Sequence, residues 1–412
     1  MQTLVVWLRL PQGGQIQVGQ LISSEPDQKR GGRLQGEFRY DKHYINQTNA
    51  FSLDPIHLPL QSGIISADRP YSGIHGVFED SLPDDWGRKI LIKRYNIARP
   101  KQRAPTLLKY LGNESLGALA YTKNKQWQTT QFPDETATLS DLIIAAEQFE
   151  NNQAEHHLND VIMQQLFQAA SSPGGARPKI VLEYDQQYWI AKLPSNKDQM
   201  DVVRIEAATL DLAKQSGIIV PDFFVTEVIG RPILLVKRFD ITYLEHGKTG
   251  RNHVISLQTL LGLDGYYTAG YSDIADIIRT LSDIPERDME LIYKQMLFNA
   301  MIANTDDHLK NFSMYRTNKG WELTPAYDLL PDVENRREHV LNFGNTGAIP
   351  VKDELIRLGK SFSLSKAKIN YYYDEVRTTI EQYHSYLIRH EVPDRDIKII
   401  IDRVKTRLKL LS

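Results

Sequence analysis

The feature that most constrains this sequence is a polar segment that directly follows an apolar helix. The helix is predicted over Leu291–Ala303, and the segment reads Asn304-Thr305-Asp306-Asp307-His308-Leu309-Lys310-Asn311-Phe312-Ser313. Two carboxylates, an imidazole, an amine and an amide therefore stand within a few residues of the end of an apolar element. A polar loop that only caps the helix would also fit, but the density of reactive groups favours a chemical role.

The spacing inside this segment indicates phosphoryl transfer. Asp306 and Asn311 have the D-x-x-x-x-N spacing of a kinase catalytic loop, in which the aspartate accepts the proton of the substrate hydroxyl and the asparagine binds Mg²⁺. Asp328 follows, alone among the apolar neighbours of Leu323–Pro331. A lone buried carboxylate is costly unless it holds a cation or several donors. Asp328 follows the D-x-x-x-x-N segment as the second metal-binding aspartate does in a kinase. The alternative is that Asp328 caps the turn before Leu329.

A glycine pair upstream could contact phosphates. Gly174 and Gly175 lie between a predicted helix, Leu158–Ala170, and a predicted strand pair. Glycines without a Cβ let backbone N–H groups approach phosphate oxygens, and Arg177 and Lys179 add positive charge. The segment is neither a Walker A loop nor a G-x-G-x-x-G loop, so an ordinary tight turn is the alternative.

A strand lysine and a helix glutamate follow the glycine pair. Lys192 lies on the second strand of the pair, and a lysine among apolar neighbours must be paired or must reach solvent. Glu206 shares a stripe with Leu210 and Ala213 on the helix predicted over Val203–Ser216, and that stripe should face inward. In kinases, a strand lysine followed by a helix glutamate holds the lysine against the nucleotide phosphates. The simpler alternative is a lysine on an edge strand whose ammonium group reaches solvent.

The remaining pattern predicts an α+β fold with three regions. Residues 1–105 alternate polar and apolar residues between glycine turns, as in Gln15–Val18 and Glu37–Tyr40, which predicts a small β-rich N-terminal domain. Within this region a helix is predicted from Leu82 to about Tyr95, with Asp84 as its N-cap, and residues 98–103 are predicted as a linker.

Residues 106–245 are sheet-rich, include a predicted strand over Phe223–Val228 and carry the glycine pair. Residues 246–412 are mostly helical, and the basic end is predicted as a helix that buries Ile399, Ile400, Val404 and Leu408. These two regions are predicted as the N-lobe and the helical C-lobe of a bilobal, kinase-like core that follows the N-terminal domain along the chain.

Composition excludes several classes of function. The 412 residues contain no cysteine, which excludes disulfide frameworks, cysteine nucleophiles and thiolate-bound metals, so catalysis has to rest on carboxylates and metal. The formal net charge of -2 disfavours sequence-independent nucleic-acid binding. No stretch approaches the ~18 apolar residues of a membrane span, and Met1–Leu10 is predicted as a first strand rather than a signal peptide. A cytoplasmic protein is expected.

The motifs also resemble those of a known family. The chain resembles the HipA family of bacterial serine/threonine kinases, the toxin half of HipA/HipB toxin–antitoxin pairs. The resemblance covers nearly the whole chain and rests on the segments Val18–Leu21, Leu58–Leu60, Val77–Arg88, Ser172–Lys179, Val236–Asp240, Asn304–Phe312 and Thr324–Leu330.

The resemblance implies a role for each matching position. Asp306 would be the catalytic aspartate, and Asn311 and Asp328 would bind Mg²⁺. Ser172 matches the serine that members autophosphorylate, a modification that displaces the loop and switches the kinase off. ATP would be bound by Gly174, Gly175, Ala176, Arg177, Lys179, Lys192, Glu206, Lys237, Phe239, His308, Lys310 and Tyr327, with Glu206 positioning Lys192 and with Lys237 and Phe239 offering backbone groups to adenine.

Two positions depart from the family pattern. Lys237 stands at a hinge position that is acidic in the best-known members, which should not matter if only its backbone is used. Pro178 removes one N–H donor from the phosphate loop. Neither departure affects the catalytic or metal-binding positions.

The resemblance implies ATP- and Mg²⁺-dependent phosphorylation of an aminoacyl-tRNA synthetase, inhibition of translation and growth arrest. It also implies a HipB-like helix-turn-helix antitoxin as partner, which would supply the DNA contacts of the complex; no membrane partner is expected. Two other classes stay open. One is a non-catalytic co-repressor that binds nucleotide and antitoxin, and the other is a small-molecule kinase with the same core.

Overall fold

A computed structural model describes residues 1–25, 27, 29, 34–67, 69, 72–113, 115–127, 138–151, 166, 177–265, 267–334 and 336–412. The chain forms two compact units. The first comprises Met1–Asn196, Arg238–Ile255 and Tyr315–Asn318, and the second comprises Lys197–Lys237, Ser256–Met314 and Lys319–Ser412. The domain boundaries at residues 105 and 245 stay predictions. No helix in the described ranges is long and apolar enough to cross a bilayer.

The elements of the described residues are numbered in chain order. The strands are β1 Gln2–Arg9, β2 Gln15–Ser23, β3 Gly36–Tyr40, β4 Ile65–Ser66, β5 Leu119–Thr122, β6 Lys179–Tyr184, β7 Gln187–Lys192, β8 Phe223–Val228, β9 Arg231–Lys237, β10 Ile241–Tyr243, β11 Thr249–Arg251, β12 His253–Ser256, β13 Ser313–Thr317 and β14 Gly320–Leu323. The helices are α1 Lys42–Ile45, α2 Gly76–Glu79, α3 Asp85–Arg94, α4 Ala104–Leu111, α5 Leu139–Glu150, α6 Val202–Gln215, α7 Leu257–Leu260, α8 Tyr271–Leu281, α9 Pro285–Ile302, α10 Lys352–Leu358, α11 Lys366–Ile380, α12 Tyr383–Arg389 and α13 Asp394–Leu410.

The N-terminal part of the first unit is built on an antiparallel sheet with the strand order β4-β3-β2-β1-β5. The alternation predicted over Glu37–Tyr40 is confirmed, since Phe38 and Tyr40 are buried and Arg39 is exposed. The predicted first strand is confirmed as β1, whose pairing with β2 shifts register between Val6 and Trp7. The consecutive residues Leu4, Val5 and Val6 of β1 are all buried, so the sheet is covered on both faces at this strand.

Helix α3 begins where the sequence predicts. Asp84 is the N-cap, and its side chain accepts a hydrogen bond from the backbone N–H of Gly87 at 3.0 Å. The last helical residue is Arg94 and Tyr95 is the C-cap, which agrees with the predicted end near Tyr95. The predicted linker that follows contains a short 3-10 turn, Arg99–Lys101, and leads directly into α4.

The predicted strand pair after the glycine segment is confirmed as the β6–β7 hairpin. Its turn residues Asp185 and Gln186 both have left-handed backbone angles (φ 51° and 56°), which a two-residue turn of this twist requires. Ala191 is buried on one face of β7, and Lys192 lies on the other face and is half-buried. The helix predicted over Leu158–Ala170 lies outside the described residues except for Leu166.

The second unit is largely helical, as expected. The stripe of Glu206, Leu210 and Ala213 on α6 is buried, which confirms the prediction from its spacing. Helix α9 begins at Pro285, six residues before the predicted start. Strands β13 and β14 were not predicted, because two strands this short carry almost no periodic signal. On α13, Ile400, Val404 and Leu408 are buried as expected, whereas Ile399 is only half-buried.

Candidate active site

The polar segment leaves helix α9 through a sharp turn. Ala303 caps the helix in the left-handed region (φ 59°), where a residue with a Cβ is strained, and its N–H donates to the carbonyl of Asn299. The N–H of Asn304 donates to the same carbonyl at 2.9 Å, and its Nδ2 donates to the Asn299 side chain at 3.1 Å. Asn299 therefore determines the direction in which the loop starts.

The two neighbouring carboxylates of the loop have opposite environments. The side chain of Asp306 is 65% exposed, whereas that of Asp307 is completely buried. Asp307 Oδ2 accepts hydrogen bonds from the hydroxyl of Tyr271 at 2.7 Å and from Nδ1 of His339 at 3.0 Å. Its Oδ1 accepts from the backbone N–H groups of Val340 at 2.9 Å and Leu341 at 3.3 Å. Asp306 is accordingly the carboxylate that a substrate can reach.

Asn311 has one satisfied and one unsatisfied side-chain atom. It ends a single 3-10 turn, and its Nδ2 donates to the backbone carbonyl of Asp306 at 2.9 Å. Within the described part of the chain, its Oδ1 is buried and has no hydrogen-bond partner. Carbonyl oxygens of this kind are ligands for Mg²⁺, so an unpaired buried oxygen beside the exposed carboxylate fits a cation site.

A tyrosine next to Asp328, the second predicted metal ligand, connects its segment to the loop that contains Asp306 and Asn311. The hydroxyl of Tyr327 donates to the backbone carbonyl of Lys310 at 2.8 Å, and the hydroxyl of Ser313 lies 2.8 Å from it. The next residue, Asp328, is half-buried and has a left-handed backbone (φ 52°). Such strain in a non-glycine residue persists only where the surroundings hold it, and it is common at functional sites. The loop and the Asp328 segment are thus joined within the second unit.

Among the residues that the structure describes, no group of three or more His, Asp or Glu side chains could hold a metal ion. The predicted pair of Asn311 and Asp328 joins an amide with a carboxylate and would not form such a group. Mg²⁺ usually keeps several waters and takes one or two protein ligands plus substrate phosphates, so a sparse site of this kind fits it.

An arginine that belongs to none of the sequence motifs faces the exposed carboxylate. Arg336 Nη1 lies 3.5 Å from Asp306 Oδ1, and Glu334 holds the same guanidinium through Nε at 3.0 Å. The remaining predicted residues of the loop are His308, which is half-buried, and Lys310, which is exposed. Arg336, Tyr271 and His339 stand 30 to 36 residues away from their aspartates, so no local spacing could have identified them.

Lys179 has a partner that the sequence did not predict. Its ammonium lies 2.6 Å from Asp84 Oδ2, and the two side chains are only 3% and 9% exposed. Asp84 thereby caps α3 with one oxygen and binds a buried lysine with the other. The expected contact between Lys179 and phosphate stays a prediction. In the same unit, the ring of Phe239 packs edge-on to Tyr315 with centroids 6.4 Å apart.

The other residues predicted to bind ATP are divided between the two units or lie outside the described residues. In the second unit, Glu206 is buried and the backbone N–H of Lys237 donates to the carbonyl of Asp222 at 2.8 Å. Arg177 and Lys192 belong to the first unit. The predictions for Ser172, Gly174, Gly175 and Ala176 lie outside the described residues.

The fold has a known counterpart. A solved structure described as the Shewanella oneidensis MR-1 toxin–antitoxin system HipA, HipB and its operator DNA complex superimposes with a TM-score of 0.69. The similarity covers 98% of this chain and 95% of that chain at 17% sequence identity. It confirms the predicted α+β fold class, which is that of HipA.

Sequence comparison identifies the family. A model of the HipA-like C-terminal domain matches residues 171–383, and a model of the HipA N-terminal domain matches residues 14–122. The first match alone spans more than half of the chain. This protein therefore belongs to the HipA family, as its motifs predict.

Two curated relatives match shorter parts of the chain. "Putative kinase Y4dM" of Sinorhizobium fredii (strain NBRC 101917 / NGR234) is 30% identical over 218 residues, which is 48% of this chain and 51% of that protein. "Putative kinase Y4mE" of the same organism is 29% identical over 150 residues, which is 35% of this chain and 34% of that protein. The chain thus matches about half or less of the length of each relative.

Proposed function

We propose that this protein is an ATP- and Mg²⁺-dependent kinase that phosphorylates serine or threonine hydroxyls of a protein substrate. Asp306 acts as the general base, Asn311 and Asp328 hold Mg²⁺, and Lys192 contacts the ATP phosphates. The proposal is supported by membership of the HipA family and by the names of the two curated relatives, each of which describes a kinase.

One observation carries the proposal. Asn311 donates its Nδ2 to the carbonyl of Asp306 at 2.9 Å and keeps its buried Oδ1 without a partner in the described residues. A single loop thus joins an exposed carboxylate to an unused amide oxygen. A loop that only capped a helix would not require a buried oxygen to remain unpaired, because that costs about 1–3 kcal/mol. A bound cation removes this cost.

The residues divide the chemistry between them. The substrate hydroxyl attacks the γ-phosphorus, its proton passes to the Asp306 carboxylate, and the bond to the β–γ bridging oxygen breaks to release ADP. Mg²⁺, when bound, neutralises charge on the β- and γ-phosphates. Lys192 adds positive charge on the same phosphates, with Glu206 positioning it. The segment Gly174–Lys179 covers the phosphates, and Lys237 and Phe239 offer backbone groups to adenine.

The finer assignments follow the family. Ser172 is the proposed autophosphorylation site, and modification there switches the kinase off. An aminoacyl-tRNA synthetase is the proposed substrate, so activity arrests growth. The similar structure is described as a complex of HipA with HipB and operator DNA. A HipB-like antitoxin is therefore the proposed partner, and this chain meets DNA only through it.

An exposed general base argues against a non-catalytic co-repressor. A subunit that only bound nucleotide would not need a carboxylate that is 65% exposed beside a cation site. A kinase for a small molecule uses the same core, and the identity of the labelled product distinguishes it from a protein kinase.

The test measures transfer of ³²P from γ-labelled ATP to proteins of a cell extract. We expect Asp306→Asn to lose transfer by at least about 100-fold, since general-base catalysis contributes 10²–10⁴-fold. Asp276→Asn is the matched control, because it makes the same change at a 72%-exposed carboxylate on α8 in the same unit. Equal transfer by wild type and Asp306→Asn would refute the proposal, and label only in small molecules would identify the alternative kinase.

A further inference from the structure

Asp307 takes no part in the chemistry proposed above, yet it is the most heavily hydrogen-bonded side chain of the loop. Four donors converge on its completely buried carboxylate: the Tyr271 hydroxyl, His339 Nδ1, and the N–H groups of Val340 and Leu341. Because a carboxylate oxygen accepts hydrogen bonds, Nδ1 of His339 is the donor in this contact. None of the four donors belongs to an arginine or a lysine.

The four donors to Asp307 come from helix α8 and from the segment that contains residues 339–341. Tyr271 is the first residue of α8, and residues 339–341 belong to the segment that also carries Arg336. Tyr271 is held in turn by Asn299 of α9, whose Nδ2 donates to its hydroxyl at 3.1 Å. Asn299 also directs the start of the loop. The Asp307 carboxylate therefore ties the loop to two helices and to a distant segment at a single point.

The anchor acts on both proposed functional residues through one peptide group. The carbonyl of Asp306 and the N–H of Asp307 belong to the same planar peptide unit. That carbonyl accepts the hydrogen bond from Asn311 Nδ2 at 2.9 Å. If Asp307 is fixed, the peptide plane is fixed, and with it both the orientation of the Asn311 amide and the direction in which the Asp306 side chain leaves the backbone.

We infer that Asp307 is the positioning residue of the catalytic loop: by accepting hydrogen bonds from Tyr271, His339 and residues 340–341, it orients Asp306 toward the substrate hydroxyl and the Asn311 oxygen toward the cation. This inference rests on the proposed kinase function. It assigns Asp307 no contact with substrate, metal or nucleotide.

The chain offers a matched control in Asp288. Its side chain is also completely buried in the second unit, and one oxygen accepts hydrogen bonds from the Ser282 hydroxyl at 2.7 Å and from the backbone N–H of Leu323 at 2.8 Å. The other oxygen is paired with Arg287, which donates through Nε at 3.1 Å and Nη2 at 2.9 Å. It anchors α9 to β14 and contacts no residue of the loop through these bonds. Asp288→Asn therefore reports what the loss of a buried carboxylate does to stability alone.

The experiment compares the kinetics of Asp307→Asn and Asp288→Asn in the full-length chain. An asparagine at 307 can present an amide N–H₂ group where Oδ2 now accepts from the Tyr271 hydroxyl and His339 Nδ1. Those two hydrogen bonds are then lost or reversed, so the loop is held less firmly. We expect kcat to fall about 100-fold in Asp307→Asn, as misplacement of about 1 Å can do, and the Mg²⁺ concentration for half-maximal activity to rise. Asp288→Asn should lower the melting temperature and leave kcat and the Mg²⁺ dependence unchanged.

A second measurement does not depend on activity. Hydrogen–deuterium exchange of the amides of residues 304–312 should accelerate in Asp307→Asn and stay at the wild-type rate in Asp288→Asn. Tyr271→Phe removes one donor and keeps the ring, so it serves as the milder variant if Asp307→Asn does not fold. It should show the same pattern with a smaller loss of kcat.

The outcomes separate this inference from the proposed function. If wild type transfers no phosphate, the kinase proposal fails, and exchange alone then decides whether Asp307 anchors the loop. Equal losses of kcat in the 307 and 288 variants would overturn the positioning role. Wild-type kcat and wild-type exchange in both Asp307→Asn and Tyr271→Phe would overturn it as well.

Discussion

Asp240 in the first unit and Asp307 in the second are both buried carboxylates, but their charges are compensated in different ways. Arg238 binds Asp240 with Nε at 3.0 Å and Nη2 at 2.7 Å, Arg251 Nη1 lies 3.6 Å away, and the N–H of Gly117 donates at 2.8 Å. Asp307 receives four hydrogen bonds from a hydroxyl, an imidazole and two backbone N–H groups.

The arginines that contact Asp240 change the pKa of its carboxyl group. Burial raises the pKa of Asp240, but Arg238 and Arg251 outweigh it and leave that pKa well below its usual range. Burial and the neighbouring Arg238 and Arg9 in turn lower the pKa of Arg251. Such a cluster suits a purely structural role. None of the four donors to Asp307 belongs to an arginine or a lysine, so its carboxylate is held by hydrogen bonds without a paired guanidinium.

The largest stability effect is expected at Asp240. Asp240→Asn leaves the buried guanidinium of Arg238 without its counter-charge, which typically costs about 3–5 kcal/mol of unfolding free energy. Urea denaturation against Glu25→Gln, an 80%-exposed carboxylate of the same unit, measures it. A loss below about 1 kcal/mol would mean that the arginines do not need the carboxylate, and the contrast with Asp307 would disappear.

The dependence of the unfolding free energy on pH in the acid range tests the same contrast between Asp240 and Asp307. Because the folded pKa of Asp240 lies below the unfolded value of about 3.9, the unfolded state binds more protons between the two values. The stability that Asp240 contributes is therefore fully present above about pH 4 and is lost as the pH falls through the folded pKa. We expect the difference in unfolding free energy between wild type and Asp240→Asn to shrink when the pH is lowered below about 4. A difference that stays constant down to pH 2 would contradict the ion-pair account.

The smallest effect is expected at the exposed ion pair of Asp306. Arg336 and Asp306 are 47% and 65% exposed, and pairs of this kind are worth about 0–1 kcal/mol. Arg336→Ala should therefore change the unfolding free energy by less than about 1 kcal/mol and kcat by less than about tenfold. Arg337→Ala, at the neighbouring exposed position, is the control. A larger loss of kcat in Arg336→Ala alone would show that the guanidinium works in the reaction.

Local signals predicted much of the fold. The bounds of β8 match the predicted Phe223–Val228, and Asp84 caps α3 as its position before the helix indicates. The buried stripe of α6 follows from its spacing. Strands β13 and β14 were missed because they are too short to show a period. Fold class and family were predicted correctly because both rest on motifs that the chain carries in order.

The partners of the site residues could not be predicted in the same way. Lys179 was expected in a phosphate loop, and its ion pair with Asp84 joins residues 95 positions apart. Nothing in the local sequence of either residue indicates the other. Arg336, whose guanidinium faces Asp306, stands 30 positions from it and follows no motif.

The sequence by itself determined which reactive groups stand together, because Asp306, Asp307 and Asn311 share one short loop. Only the tertiary structure decided which of the two adjacent aspartates faces solvent and which is buried. Both have the same side chain and nearly the same neighbours, so local propensity cannot distinguish them. Asp307 is the buried one because Tyr271 and residues 339–341 supply hydrogen-bond donors to it. A carboxylate can be buried only where such donors replace its hydrogen bonds to water.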